Sequence, residues 1–440
     1  MAAPSEAGIA ELKPADGAAV NGEPEQARPW TEAEVFAYSE GDFFKSGVRW
    51  GRPGTRCRFD AALRSAWADR MSRGCFRYAL RGPELLSRVL PGPRRFVAQL
   101  NVSRGTERRR PQEILSLRQP FDPNQFNFGK IRPREILFAL RRGGAACPGD
   151  RLTGQGGALL IINVSPLEYG HVLLLPDPAR ALPQVLTGDS LLQALELVFL
   201  SSDPGFRMGF NSLGAFASVN HLHLHGYYLG HELEVESAPT EPLAPGTGFN
   251  RAEPELDVGA GWTGTTRDQP GPGLDKPGLQ RAEGEREPPR SRSRPRPKPL
   301  HRVHLLSGHP TRGLVLYTDG TDIPQTAAAL HRITDFFLGR SLAHNLFLTR
   351  GCPLGGRVAD PGSRDGVRLI LWPRRSCFGV KEESAFNVAL CELAGHLPIK
   401  TPHHYSEMTE GKALEIIRKH LLSEEELSQL RSEITGLLED

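Results

Sequence analysis

A chain of 440 residues exceeds what one hydrophobic core usually fills, so two structural halves or one enlarged α/β unit is expected. A formal net charge of +3 argues neither for nor against a nucleic-acid partner. No run approaches the ~20 apolar residues of a membrane helix, and Met1 to Pro29 contains no signal-peptide core. The six cysteines lie far apart with no C-x-x-C pair, which suits the reduced thiols of a cytoplasmic protein better than a disulfide scaffold or a cysteine zinc site.

In chain order, residues 1–29 lack periodicity and aromatics and are predicted to form a disordered tail. Order should begin near Trp30, where Thr31 and Glu34 have the capping-box spacing of a short helix. Phe59, Leu63, Trp67 and Met71 recur every four residues and stop before Gly74, the pattern of an amphipathic helix with a glycine C-cap. Arg95 to Asn101 reads as a strand entering the basic loop Arg104 to Arg110. Between Gly157 and Pro176 two apolar runs flank Ser165 to Gly170, as two buried strands joined by a loop would. A helix around Leu191 to Leu200 follows, then strands Arg207 to Ser212 and Phe216 to Leu229.

Residues 232–303 are dense in Pro, Gly, Glu and Arg and poor in aliphatics, so they are predicted to be a mostly disordered insertion. Its basic end, Arg290 to Pro299, reads as a solvated linker in preference to an RNA contact. Order should resume near His304, with strands at Gly313 to Tyr317, Ala343 to Arg350 and Val367 to Trp372. Helices are predicted at Ile323 to Leu338 and Ser384 to Ala394, and from the capping box Ser423/Glu426 to Leu438. Residues 30–231 and 304–440 therefore form an N-terminal and a C-terminal half.

The chemistry concentrates in Ser218-Val219-Asn220-His221-Leu222-His223-Leu224-His225. On a strand the side chains alternate faces, so the three imidazoles share one face and the leucines enter a core. Aligned imidazoles can bind a metal, transfer protons, or let one ring attack phosphorus while its neighbours hold the phosphate. An incidental polar face is a poor account of three aligned histidines beside Ser218 and Asn220. A zinc site has the H-x-H pair but no acidic or cysteine ligand beside it.

A second segment bears on this choice. Pro166, then Gly170-His171, then an aliphatic strand ending at Pro176, then His-x-His-x-His, resembles the histidine-triad superfamily. The resemblance implies that His223 is the nucleophile toward an α-phosphorus, with His221 and His225 donating hydrogen bonds to phosphate oxygens. Asn211 and Ser218 stand where that superfamily puts phosphate- and ribose-contacting residues, and His171 is either a nucleotide contact or a structural histidine. Physical chemistry agrees about His223. A neutral imidazole is nucleophilic without a separate base, provided a carbonyl fixes its other nitrogen as N–H.

The long N-terminal extension and second α/β half are similar to the galactose-1-phosphate uridylyltransferase branch. Within it the chain resembles the GDP-hexose phosphorylases of animals and plants. The match rests on Phe96 to Asn101, Gln119 to Asp122, Phe126 to Lys130, Gly226 to Leu229, Ala343 to Phe347 and Gly395 to Lys400. It covers about 30–250 and 304–440. It implies an α+β fold of two fused histidine-triad-like halves with antiparallel sheets and packed helices. It also implies phosphorolysis of a GDP-hexose such as GDP-D-glucose by inorganic phosphate, with no cofactor, metal, nucleic acid or membrane. Arg104, Arg108 and Lys130 are the candidate cations for the phosphates. Uridylyltransferases carry Gln where this chain has His225, which keeps hydrolysis as an alternative. A non-catalytic guanine-nucleotide-binding protein is the other. The C-terminal half has only His344 on its matching strand, so substrate contacts or packing are expected there, not a second triad.

Overall fold

The computed structural model describes residues 33–51, 57–80, 85–109, 111–143, 157–243, 303–355, 360, 362–379 and 384–439. The predicted tail 1–29, and the predicted insertion beyond residue 243, lie outside them.

The N-terminal half supplies β1 (Val35–Tyr38), α1 (Arg58–Ser72), β2 (Ser87–Val89), β3 (Val97–Leu100), α2 (Val102–Thr106) and β4 (Ile136–Arg142). It continues with β5 (Ala158–Ile162), β6 (Val172–Pro176), α3 (Gly188–Leu200), β7 (Phe206–Asn211), β8 (Leu224–Tyr228) and β9 (Thr240–Pro242). The C-terminal half supplies β10 (His304–Leu306), β11 (Leu314–Thr318), α4 (Ile323–Gly339), β12 (Ala343–Gly351) and β13 (Gly366–Arg374). It closes with α5 (Leu390–Ala394), β14 (His396–Ile399), α6 (Pro402–Glu407), α7 (Glu410–Arg418) and α8 (Glu424–Glu439).

The fold is α+β, and its two halves share one sheet. The order β1-β4-β5-β6-β8-β7-β12-β13-β11-β10-β9 runs through both, antiparallel at every step except β1–β4. The halves join where β7 pairs with β12, placing Asn345 opposite Asn211. A second, three-stranded sheet, β14-β3-β2, joins them again through the parallel pair β14–β3.

Burial explains the element choices. β5, β6, β12 and β13 are buried along their whole length, which requires cover on both faces and matches their unbroken apolar runs. One face carries the largest core, where Leu63 and Trp67 of α1, Leu195 and Val198 of α3 and Leu330 of α4 pack on the sheet. The other face divides. The small sheet and α5 and α7 cover one part, around Phe347, Trp372 and Leu393. Phe128 and Ile131 cover β4 to β6. The site lies between these two covers.

Four expectations are corrected. The segment after Thr31 is β1, not a helix, because Phe36 and Tyr38 alternate into the core and the strand pairs with β4. The strand predicted over Phe216–Leu229 is only β8, since residues 216–223 are irregular backbone. Of the helix predicted over Ser384–Ala394 only α5 forms, ended by Gly395 at φ +100°. Residues 234–236 and 240–242 form a 3-10 turn and β9 inside the stretch assigned to the insertion, because Leu233, Val235, Ala238 and Leu243 anchor it to the core.

Candidate functional site

The site is built on the segment leading into β8. Leu222 and Leu224 are buried in the main core, while His223 and His225 line a cavity. The backbone here is pinned by Gln184. Its Oε1 accepts from the His223 N–H at 2.9 Å, and its Nε2 donates to the carbonyls of His223 and Asn211 at 3.1 and 3.0 Å. His223 Nδ1 lies 2.8 Å from the carbonyl oxygen of His221. A carbonyl only accepts, so Nδ1 carries the proton and Nε2 keeps the lone pair.

The tautomer of His225 follows from a chain of bonds. The Leu167 N–H donates to His171 Nδ1 at 2.8 Å, so the His171 proton sits on Nε2. That nitrogen is 3.0 Å from His225 Nδ1, which therefore accepts and leaves the His225 proton on Nε2. The two cavity histidines thus present opposite faces. His223 offers a lone pair and His225 offers a donor.

His221 and His171 stand elsewhere. The His221 ring is buried beside Phe121 and Phe128, and its Nδ1 accepts from the Phe128 N–H at 3.0 Å. It does not line the cavity, and its visible link to His223 is its carbonyl. His171 is also buried, and the structure places it next to the His225 ring and not on the cavity wall. Burial pushes His223 and His221 down to about 4 and holds His225 and His171 well below the usual histidine range. All four rings are neutral at pH 7.

The cavity, of about 240 Å³, is lined by both halves. The N-terminal half contributes Asn211 and Ser218 together with His223 and His225, and the C-terminal half contributes Asn387, Glu392 and Lys400. The Asn211 Oδ1 accepts from Asn345 Nδ2 at 2.6 Å and from the Leu390 N–H at 3.0 Å, so its own amide N–H groups are turned elsewhere. Arg104 and Arg108 line the cavity, but Lys130 does not; its Nζ donates to the carbonyls of Asn124 and Gln125 at the surface. Among the described residues no group of three or more His, Cys, Asp or Glu side chains is arranged to hold a metal ion.

Sequence reasoning missed Gln184, Asn163, Arg109, Glu135, Glu392 and the cationic role open to Lys400. Gln184, Arg109 and Glu135 carry no motif. Asn163 at the end of β5, and Glu392 and Lys400 flanking β14, sit beside segments already singled out, so proximity to those strands was the available signal.

Comparison with known proteins bears on this arrangement. Residues 58–227 match the family model described as GDPGP1-like, N-terminal domain, and residues 295–440 match GDPGP1-like, C-terminal domain. The chain is 44% identical to GDP-D-glucose phosphorylase 1 of Danio rerio, over 92% of this chain and 99% of that one. It is 44% identical to GDP-D-glucose phosphorylase 1 of Homo sapiens, over 92% and 91%. It is 29% identical to GDP-L-galactose phosphorylase 2 of Arabidopsis thaliana, over 84% and 74%. Two family models that together span most of the chain, with relatives 44% identical over 92% of it, place this chain in the GDPGP1-like family of GDP-D-glucose phosphorylases.

Proposed function

We propose that this chain is a cytoplasmic nucleotidyltransferase that cleaves GDP-D-glucose with inorganic phosphate to GDP and glucose 1-phosphate through a guanylyl-His223 intermediate. The observation that carries this is the bond from His223 Nδ1 to the His221 carbonyl. It leaves Nε2 as an unprotonated nucleophile on a cavity lined by cations. The cytoplasmic setting is supported by the free thiols of the five described cysteines.

In the first step Nε2 attacks the α-phosphorus, the bond to the bridging oxygen breaks, and glucose 1-phosphate leaves with that electron pair. A sugar phosphate is a good leaving group, so no strong general acid is required. His225 Nε2–H, the Asn211 amide and Ser218 offer donors to the non-bridging oxygens as charge builds on them. In the second step an oxygen of inorganic phosphate attacks the same phosphorus, the N–P bond breaks, and GDP forms. The His221 ring takes no part; its carbonyl holds the nucleophile's tautomer. Arg104, Arg108 and Lys400 favour an anionic acceptor over water, which is why phosphorolysis is preferred to hydrolysis.

Rapid quench with GDP-glucose labelled at the α-phosphorus tests the reading. Acid-labile label should appear on wild-type protein, and GDP should form only with phosphate present. His223→Asn should lower turnover by about 10³-fold or more. Full turnover by that variant would refute the mechanism, GMP in place of GDP would favour the hydrolase, and unlabelled protein with no product would favour a binding protein.

A further inference from the structure

We propose that Glu135 and Arg109 read the Watson–Crick edge of guanine, making their end of the cavity the base-specificity site of the reaction proposed above, on which this inference rests.

The cavity is chemically divided. Near Glu392 lie the charges of Arg104 and Lys400, which suits phosphate groups and sugar hydroxyls. Phe126, Phe128 and Ile131 also line the cavity, continuous with the apolar cluster over β4 to β6. A flat base needs an apolar surface to lie beside.

A carboxylate on that apolar wall requires donors. Glu135 is only 9% exposed. Its Oε1 accepts from the Arg132 N–H at 3.2 Å, and no described residue donates to its Oε2. Arg109 is its neighbour in charge but forms no ion pair with it. The Arg109 guanidinium carbon sits over the Phe126 ring, 3.2 Å from its centroid, and its buried Nη1 has no hydrogen-bond partner. An unpaired donor and an under-used acceptor, within electrostatic reach of each other, therefore line the same cavity beside an apolar surface.

Guanine supplies the complement. Its O6 accepts beside two donors, N1–H and N2–H₂, matching the Arg109 donor and the Glu135 acceptor. Adenine reverses the order and would turn the N1 lone pair toward the carboxylate. Uracil matches at O4 and N3–H but presents the O2 acceptor where guanine has its amino group.

Calorimetric binding of GDP, IDP, ADP and UDP to the full chain tests this without turnover. Wild type should prefer GDP to ADP by at least about tenfold, with IDP between them, and Glu135→Gln should erase most of that preference. Arg109→Met should reduce it in the same direction, and it serves as the reading if Glu135→Gln does not fold. A GDP-to-ADP ratio unchanged within about twofold in the folded variant, or absent in wild type, overturns the inference. A Glu135-dependent preference in a chain that turns over no nucleotide sugar would leave it standing and sink the phosphorylase reading instead.

Discussion

At the scale of single residues, the site depends on where protons sit on rings that never titrate near neutral pH. His223 and His225 are two positions apart and both held neutral chiefly by desolvation, yet one presents a lone pair and the other an N–H. The difference comes from their second nitrogens, which face a carbonyl in one case and a donor ring in the other. In the mechanism proposed above, His171 is a positioning residue acting through His225. His171→Asn should lower kcat by about 10- to 100-fold, the scale on which such supporting partners act, with a smaller change in KM. Without that donor His225 can take either neutral tautomer, so only part of the variant presents the Nε2–H donor to the cavity. Steady-state rates check this, and a kcat unchanged from wild type would contradict it.

At the scale of elements, the turn between β5 and β6 decides whether His171 reaches His225. Gly170 has φ +68°, and a Cβ there would lie 2.5 Å from a Tyr228 ring carbon. Tyr228 has little freedom to withdraw, since its hydroxyl donates to Asp60 at 2.7 Å. Gly170→Ala should therefore destabilise the protein by about 1–3 kcal/mol from backbone strain and overpacking, read as a lower urea midpoint with unchanged m. Turnover should fall with it, because the next residue is His171. Elements with long regular patterns were legible: the four-residue period of α1 and the apolar runs of β5 and β6 were read correctly. Thr31 and Glu34 misled because capping-box spacing is a local signal, and pairing with β4 overrode it.

At the scale of the whole molecule, many buried histidines set an acid limit. His221, His223, His309 and His344 are pushed down to about 4 and His396 to about 3, chiefly by burial. Above about pH 6.5 these rings are neutral in both folded and unfolded chains, so their contribution is fully present. As pH falls from there toward 4 the unfolded chain binds protons that the folded one refuses, so stability is lost. The Tm should drop steadily between pH 6.5 and 4; a Tm constant down to pH 5 would contradict this. The sequence by itself carried the three alternating histidines, and their resemblance to the histidine-triad superfamily singled out His223. Most of the elements around them were legible too, because spacing along a segment is a local property of a chain. Tertiary structure alone decided that the His221 ring turns from the cavity and His171 stands next to His225. It also decided that both halves share one sheet, and that Glu135, Arg109, Glu392 and Lys400 converge on the site. Those facts depend on contacts between residues distant in sequence, and no local pattern encodes which of many buried or charged side chains will meet.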